Sequence, residues 1–252
     1  MKNDRHEAAN RAERKGSDRL LALTDGLFAT VLTLLVLDLR VPEAFSASGG
    51  KPHDFIIWIG PRLFGYLLTF VVSGTYWLSH HRYFDHIEGF DRGLLGYNLL
   101  FLLFVGLLPF STAALSTSSV SNGTYPFYWA IYAGNLTLAG VMLALTWNYP
   151  VSHHLVKAET NRRLIRGISV RQLVTPIAFV VSIAAQYLYP RILLGPYVLL
   201  LIPASAWVVD RILPRDHDRE GRQRGLREFL WRLGTAILWL LMIGLSIWAM
   251  SI

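Results

Sequence analysis

Two aspartates stand inside the apolar stretch Leu20–Leu39, Asp38 near its end and Asp25 one to two turns from its start. A carboxylate one to two turns into a membrane-length segment is costly unless paired, and such residues mark functional sites by default. Groups able to pair with it recur along the chain. Trp77, His80 and His81 close a second apolar run, Asn98 opens a third, and Arg19 lies one to two turns before Asp25. Asp25 with the indole N–H of Trp77, a histidine and Asn98 would satisfy every polar group in one network. Locking the first helix in place is its first role. A proton relay or pH gate through His80 or His81 is the second.

The same helix carries a different set of groups on another face. On a 3.6-residue wheel Gly26, Thr30, Thr33, Leu34, Leu37 and Val41 fall within roughly 100°, while Asp25 lies roughly 140° from Thr30. Gly and Thr are common where membrane helices pack, which is the first reading of the stripe. The second is a narrow pore, with threonine hydroxyls offering oxygens to an ion and leucines forming a dry constriction. Other chemistries find little support. His80-His81 and His153-His154 are adjacent pairs that diverge on a helix, so a metal site is not expected. No serine sits in a G-x-S-x-G context, so a hydrolase is not expected. No T-V-G-Y-G run exists to build a carbonyl-lined filter.

The elements that must position these groups are membrane helices. Of the 252 residues 53% are hydrophobic and only 16% charged, against roughly 25% charged in a soluble domain. A bilayer core about 30 Å thick needs about 20 apolar residues as helix. Six segments meet or approach that length: Leu20–Leu39, Phe55–Leu78, Leu94–Leu115, Tyr125–Trp147, Leu173–Leu188 and Ile192–Val209. The fifth and sixth carry Pro176, Pro196 and Pro203 and read as a kinked hairpin turning at Pro190 and Arg191. A further apolar stretch, Phe229–Ile252, is expected to span or to lie in the interface. The first segment is longer than a signal-peptide core and is expected to be retained. The fold class is therefore all-α, a polytopic membrane helix bundle with six transmembrane helices and a C-terminal hydrophobic segment. Residues 1–18 read as a basic cytoplasmic tail, 19–213 as the six-helix domain, and 214–252 as a basic connector with the C-terminal helix.

Charge sets the orientation. The N-terminal tail, the even-numbered connections and the segment after the sixth helix hold twenty Lys and Arg. The opposite side holds only Arg40, Lys51 and Arg191. That bias puts the N-terminus in the cytoplasm of a multi-pass cell-membrane protein. It also explains the net charge of +7 without nucleic acid as a partner. The partner implied is the lipid bilayer. The chain has no cysteine, which excludes disulfides and thiolate metal sites.

Three motifs carry a resemblance. Arg19-Leu-Leu-Ala-Leu-Thr24-Asp25-Gly26 resembles the R-x-x-x-F-S-D signature of the transmembrane protein 175 family. Trp77-Leu-Ser-His80-His81-Arg82-Tyr83-Phe84 resembles its W-x-x-H-H-x-x-F, and Asn98 with Pro109-Phe110 resembles its third helix. The resemblance covers about residues 19–213. It implies a homotetrameric, potassium-selective leak channel whose first helices line the pore, with no cofactor and K+ as the permeant ion. It further implies a constriction at Thr30, Leu34 and Leu37, a hydroxyl ring at Thr33, and bracing of the pore helix by Arg19, Asp25, Trp77, His81 and Asn98. Leu23-Thr24 departs mildly from the usual Phe-Ser. Thr30 replaces the isoleucine expected at the constriction, which implies a wetter pore with weaker gating and potassium preference. The alternative from the residues is a proton-permeable channel or proton-coupled transporter using Asp25 and His81. A non-conducting membrane scaffold is the third reading.

Overall fold

The computed structural model describes residues 2–39, 52–118, 122–191 and 194–198. The predicted sixth segment Ile192–Val209, save 194–198, and all of 214–252 lie outside the described residues. What is described is helical apart from loops and one isolated bridge. In chain order the helices are α1 (Lys2–Leu35), α2 (Pro52–Asp85), α3 (Arg92–Gly106), α4 (Leu108–Ser116), α5 (Tyr125–Ser152), α6 (Arg162–Leu188) and the short α7 (Leu194–Val198). A 3₁₀ turn, Val36–Leu39, tightens the end of α1. Four described stretches are long and apolar enough to cross a membrane: Gly16–Leu39, Arg92–Ser116, Tyr125–Ser152 and Arg162–Leu188. α2, with 34 residues, also exceeds the bilayer in length at 1.5 Å per residue. The molecule is an all-helical, multi-pass membrane protein.

Several boundaries differ from expectation, each for a local reason. Helix one begins at Lys2 rather than Leu20, because its polar N-terminal residues include good helix formers and no proline. The third segment is broken into α3 and α4 at Leu107. Pro109 has no N–H to return to the carbonyl of Val105, so the ladder lapses and restarts. The fifth segment is not short. α6 starts at Arg162, where Asn161 caps it through the N–H of Arg163 at 2.8 Å, and it runs past Pro176 to Leu188.

α5 is the centre of the core. Trp129, Tyr132, Leu136 and Trp147 on it are fully buried, and it packs against α3, α4 and α6. Phe28, Leu68, Tyr76, Phe101 and Phe179 join it from the other helices. Gly140 permits the close approach of α6: a Cβ there would stand 2.9 Å from the Tyr76 hydroxyl and 3.2 Å from Pro176. Such small-residue contacts replace the hydrophobic drive that lipid cannot supply. α1 packs against α2, α3 and α4.

At one end of the bundle two loops are knitted together. Ile87 and Val156 form an isolated antiparallel bridge, flanked by the N–H of Glu88 on Leu155 O (2.9 Å) and that of Lys157 on His86 O (3.0 Å). α5 stops there by a left-handed turn: His154 adopts φ +56° and the N–H of Leu155 returns to Pro150 O at 2.9 Å. This is the Schellman closure. The His153-His154 pair thus ends a helix.

The candidate pore helix and its bracing site

α1 is divided lengthwise. Leu20, Thr24, Phe28, Val31 and Leu35 are each 3% exposed or less, in steps of four, four, three and four residues that hold one side of the helix. The opposite side is bare. Leu23, Gly26, Thr30, Thr33, Leu34 and Leu37 are all exposed, and a Cβ on Gly26 would meet nothing within 4 Å. The Thr30 hydroxyl donates to Gly26 O at 2.8 Å and that of Thr33 to Thr30 O at 2.7 Å. Each threonine thereby satisfies its proton within the helix and leaves oxygen lone pairs outward. The four residues Thr30, Thr33, Leu34 and Leu37 therefore share one open face. Leu37 reaches it from the 3₁₀ turn rather than from the α-helix proper.

The bracing groups form two clusters where one network was expected. In the first, the Trp77 indole N–H donates to Asp25 Oδ1 at 2.8 Å, and His81 Nε2 lies 3.8 Å from the same oxygen. The rings of Trp77 and His81 are 4.6 Å apart. This cluster is half exposed, with His81 38% and Asp25 46% accessible in their side chains. In the second, His80 Nε2 meets Asn98 Oδ1 at 2.7 Å and the Asn98 amide donates to Thr24 Oγ1 at 3.3 Å. The Thr24 hydroxyl then donates to Leu20 O at 3.0 Å. All three side chains are wholly buried. Because the Asn98 oxygen only accepts, His80 carries its proton on Nε2. Phe84 and Phe101 stack on the imidazole at 4.4 and 5.7 Å.

Asn98 therefore pairs with His80 and Thr24 instead of with Asp25. The reason is geometric: adjacent histidines diverge by about 100° on a helix, so only one faces α3. Arg19 is exposed and has no hydrogen bond or ion pair among the described residues. It continues the bare stripe two turns below Gly26 instead of joining either cluster. Sequence reasoning missed Thr24, His80 as the inward member of the pair, and an outer tether. In that tether Ser116 on α4 donates to Asp38 Oδ2 at 2.6 Å. α1 is thus tied to the broken α3–α4 helix near both ends. No group of three metal-ligating side chains exists among the described residues.

Fold and site together define a multi-pass helical membrane protein whose first helix is clamped along one face and open along the other. Residues 19–109 match the family model described as endosomal/lysosomal potassium channel TMEM175. A potassium channel of Chryseobacterium sp. is 28% identical over 194 residues, covering 76% of this chain and 92% of that one. The human endosomal/lysosomal proton channel TMEM175 is 34% identical over 103 residues, 38% of this chain and 20% of its own length. The crystal structure of a lysosomal potassium-selective channel TMEM175 homologue from Chamaesiphon minutus superposes with a TM-score of 0.63 at 21% identity. The match covers 80% of this chain and all of that one, and it bears on the fold alone.

Proposed function

We propose that the chain is one subunit of a potassium-permeable leak channel in the cell membrane. Four copies, each with six crossing helices and a cytoplasmic N-terminus, surround an axis lined by their first helices. The observation that carries this reading is the division of α1 into a clamped face and a bare face of ordered chemistry. Hydroxyls come first along the stripe, at Thr30 and Thr33, and leucines follow at Leu34 and Leu37. An ion crossing a ring of leucines must shed part of its water, and K+ sheds water more easily than Na+, so a narrow, weakly coordinating pore favours K+. No cofactor is needed, because flow runs down a gradient. Arg19, Asp25, Trp77, His81 and Asn98 serve the pore by holding its helix. The potassium channels among the relatives support the same assignment.

The test is K+ against Na+ flux into liposomes holding the purified protein, with Leu37→Ala beside wild type. A K+-favouring flux that rises in the variant is expected. Unchanged conductance in Leu37→Ala would remove the pore from this face.

Proton permeation is the second reading, favoured by the half-exposed Asp25–His81 contact and by the proton channels among the relatives. A pH dye inside the same vesicles separates the two. Acidification abolished by Asp25→Asn, with K+ flux absent, would replace the first reading. A proton-coupled transporter built on Asp25 is disfavoured because α1, which carries that residue, is unbroken from Lys2 to Leu35, whereas such carriers unwind the helices that form their binding site.

A further inference from the structure

Among the described residues α6 packs on α5 and α7, and one side of it is exposed along its length. Arg163, Arg166, Val170, Leu173, Ile177, Val180, Ala184 and Leu188 are exposed at helical spacing, so they share an arc of about 100°. The first five residues of this helix contain Arg162, Arg163 and Arg166, with no acidic residue in the first turn. None of these three side chains has an ion-pair or hydrogen-bond partner among the described residues. Three guanidiniums also crowd the positive end of the helix dipole, where cations are disfavoured. That end of the helix carries an uncompensated demand for negative charge.

Directly along the same face lies an apolar groove of about 230 Å³ between α5 and α6, lined by residues that include Val141, Leu173, Ile177 and Val180. At 1.5 Å per residue, Leu173 to Val181 lies about 10 to 22 Å from Arg166 along the axis. One leaflet of hydrocarbon is about 15 Å deep. Headgroup charge and acyl depth therefore match a single class of occupant.

We propose that this face is a site for an anionic phospholipid, its phosphate held by Arg162, Arg163 and Arg166 and one acyl chain laid in the groove. Arginine suits the first task because its planar fork can meet two phosphate oxygens at once. The groove suits the second because nothing polar lines it: Thr137, its one hydroxyl, donates to Ala133 O at 2.8 Å. The site rests on the membrane embedding of α6 and not on the channel reading, so either can fail alone.

Native mass spectrometry of the full chain in detergent, with added phosphatidylglycerol or phosphatidylcholine, tests it. Wild type is expected to retain phosphatidylglycerol preferentially, and the Arg162→Gln/Arg163→Gln/Arg166→Gln variant to lose that preference by about tenfold or more. Val141→Phe, which fills the groove, should weaken both lipids alike while the oligomer stays intact. Should the triple variant misfold, a salt titration of wild type decides, since screening must erode the preference. Equal retention of the two lipids, or a preference indifferent to salt, overturns the proposal. Displacement by glycerol 3-phosphate would make this a soluble-anion site instead. A change of oligomeric state in Val141→Phe without any change in lipid binding would make the groove a contact between copies.

Discussion

At the scale of single residues, Asn98 is the most consequential polar group in the bundle. It accepts from His80 and donates to Thr24, and all three are buried. Asn98→Leu strands the His80 N–H among phenylalanine rings, a loss of about 1 to 3 kcal/mol. Trp77→Phe removes one bond from a half-exposed cluster, nearer the ~0.6 kcal/mol average of interhelical polar contacts. Thermal unfolding of the detergent-solubilised assembly should rank the two in that order; equal losses would mean that the buried cluster adds nothing beyond the exposed one. The sequence made Asp25, Trp77 and Asn98 conspicuous, since polar groups in apolar runs stand out. It could not say which histidine turned inward from composition alone. A signal was present: Val72, Tyr76, His80 and Phe84 recur every four residues and are all buried, so His80 lies on the apolar side of α2. Trp77 and His81, one position on, repeat the step on the neighbouring face.

At the scale of elements, prolines and helix ends decide the shape. Pro109→Ala should restore the missing bond to Val105, fuse α3 with α4 and rotate Ser116 away from Asp38. A double-mutant cycle between Asp38→Asn and Ser116→Ala should then lose its coupling in the Pro109→Ala background. The stop of α5 offers a second check. His154 holds φ +56°, which costs a non-glycine residue roughly 1 kcal/mol or more. His154→Gly is expected to raise the melting temperature, and a lowered value would mean that the imidazole contributes more than the strain. Gly93 allows the opposite case. A Cβ there would collide with the Tyr149 hydroxyl, which donates to Asp91 Oδ2 at 2.7 Å, and Asp91 also caps α3 through Leu94. Gly93→Ala should therefore loosen α3 at its start, seen as faster amide exchange in its first turn. Segment positions were legible from hydropathy, but the break at Leu107 was not, because Leu and Phe surround Pro109 and keep the stretch apolar throughout. The true start of α6 was hidden likewise, its arginines reading as loop.

At the scale of the molecule, the knitted loops carry a pH response. Burial is the main influence lowering the pKa of His86 and Lys157 adds to it, while Asp85 acts the other way. The unfolded chain thus binds a proton more readily than the folded one. Stability from this site is present above the ordinary histidine range, near pH 6.5, and is lost as pH falls through it. Wild type should lose thermal stability between roughly pH 7 and pH 5, and His86→Gln should lose less of it. Parallel slopes would exclude His86 as the source. Class was the most legible level, since membrane-length runs need no tertiary knowledge. Which face of each helix meets lipid and which meets protein was not, because both are apolar.

The division of α1 separates two kinds of mutational freedom. Residues on its clamped face are bound to partners in the same chain, so changing them disturbs folding. Those on the bare face are exposed among the described residues, and replacing threonine by isoleucine at Thr30 is expected to leave the fold of the protomer unaltered. Variation along that face is therefore free of folding cost and answers to whatever the face meets outside. Lineages can retune that encounter one side chain at a time, on an unchanged frame.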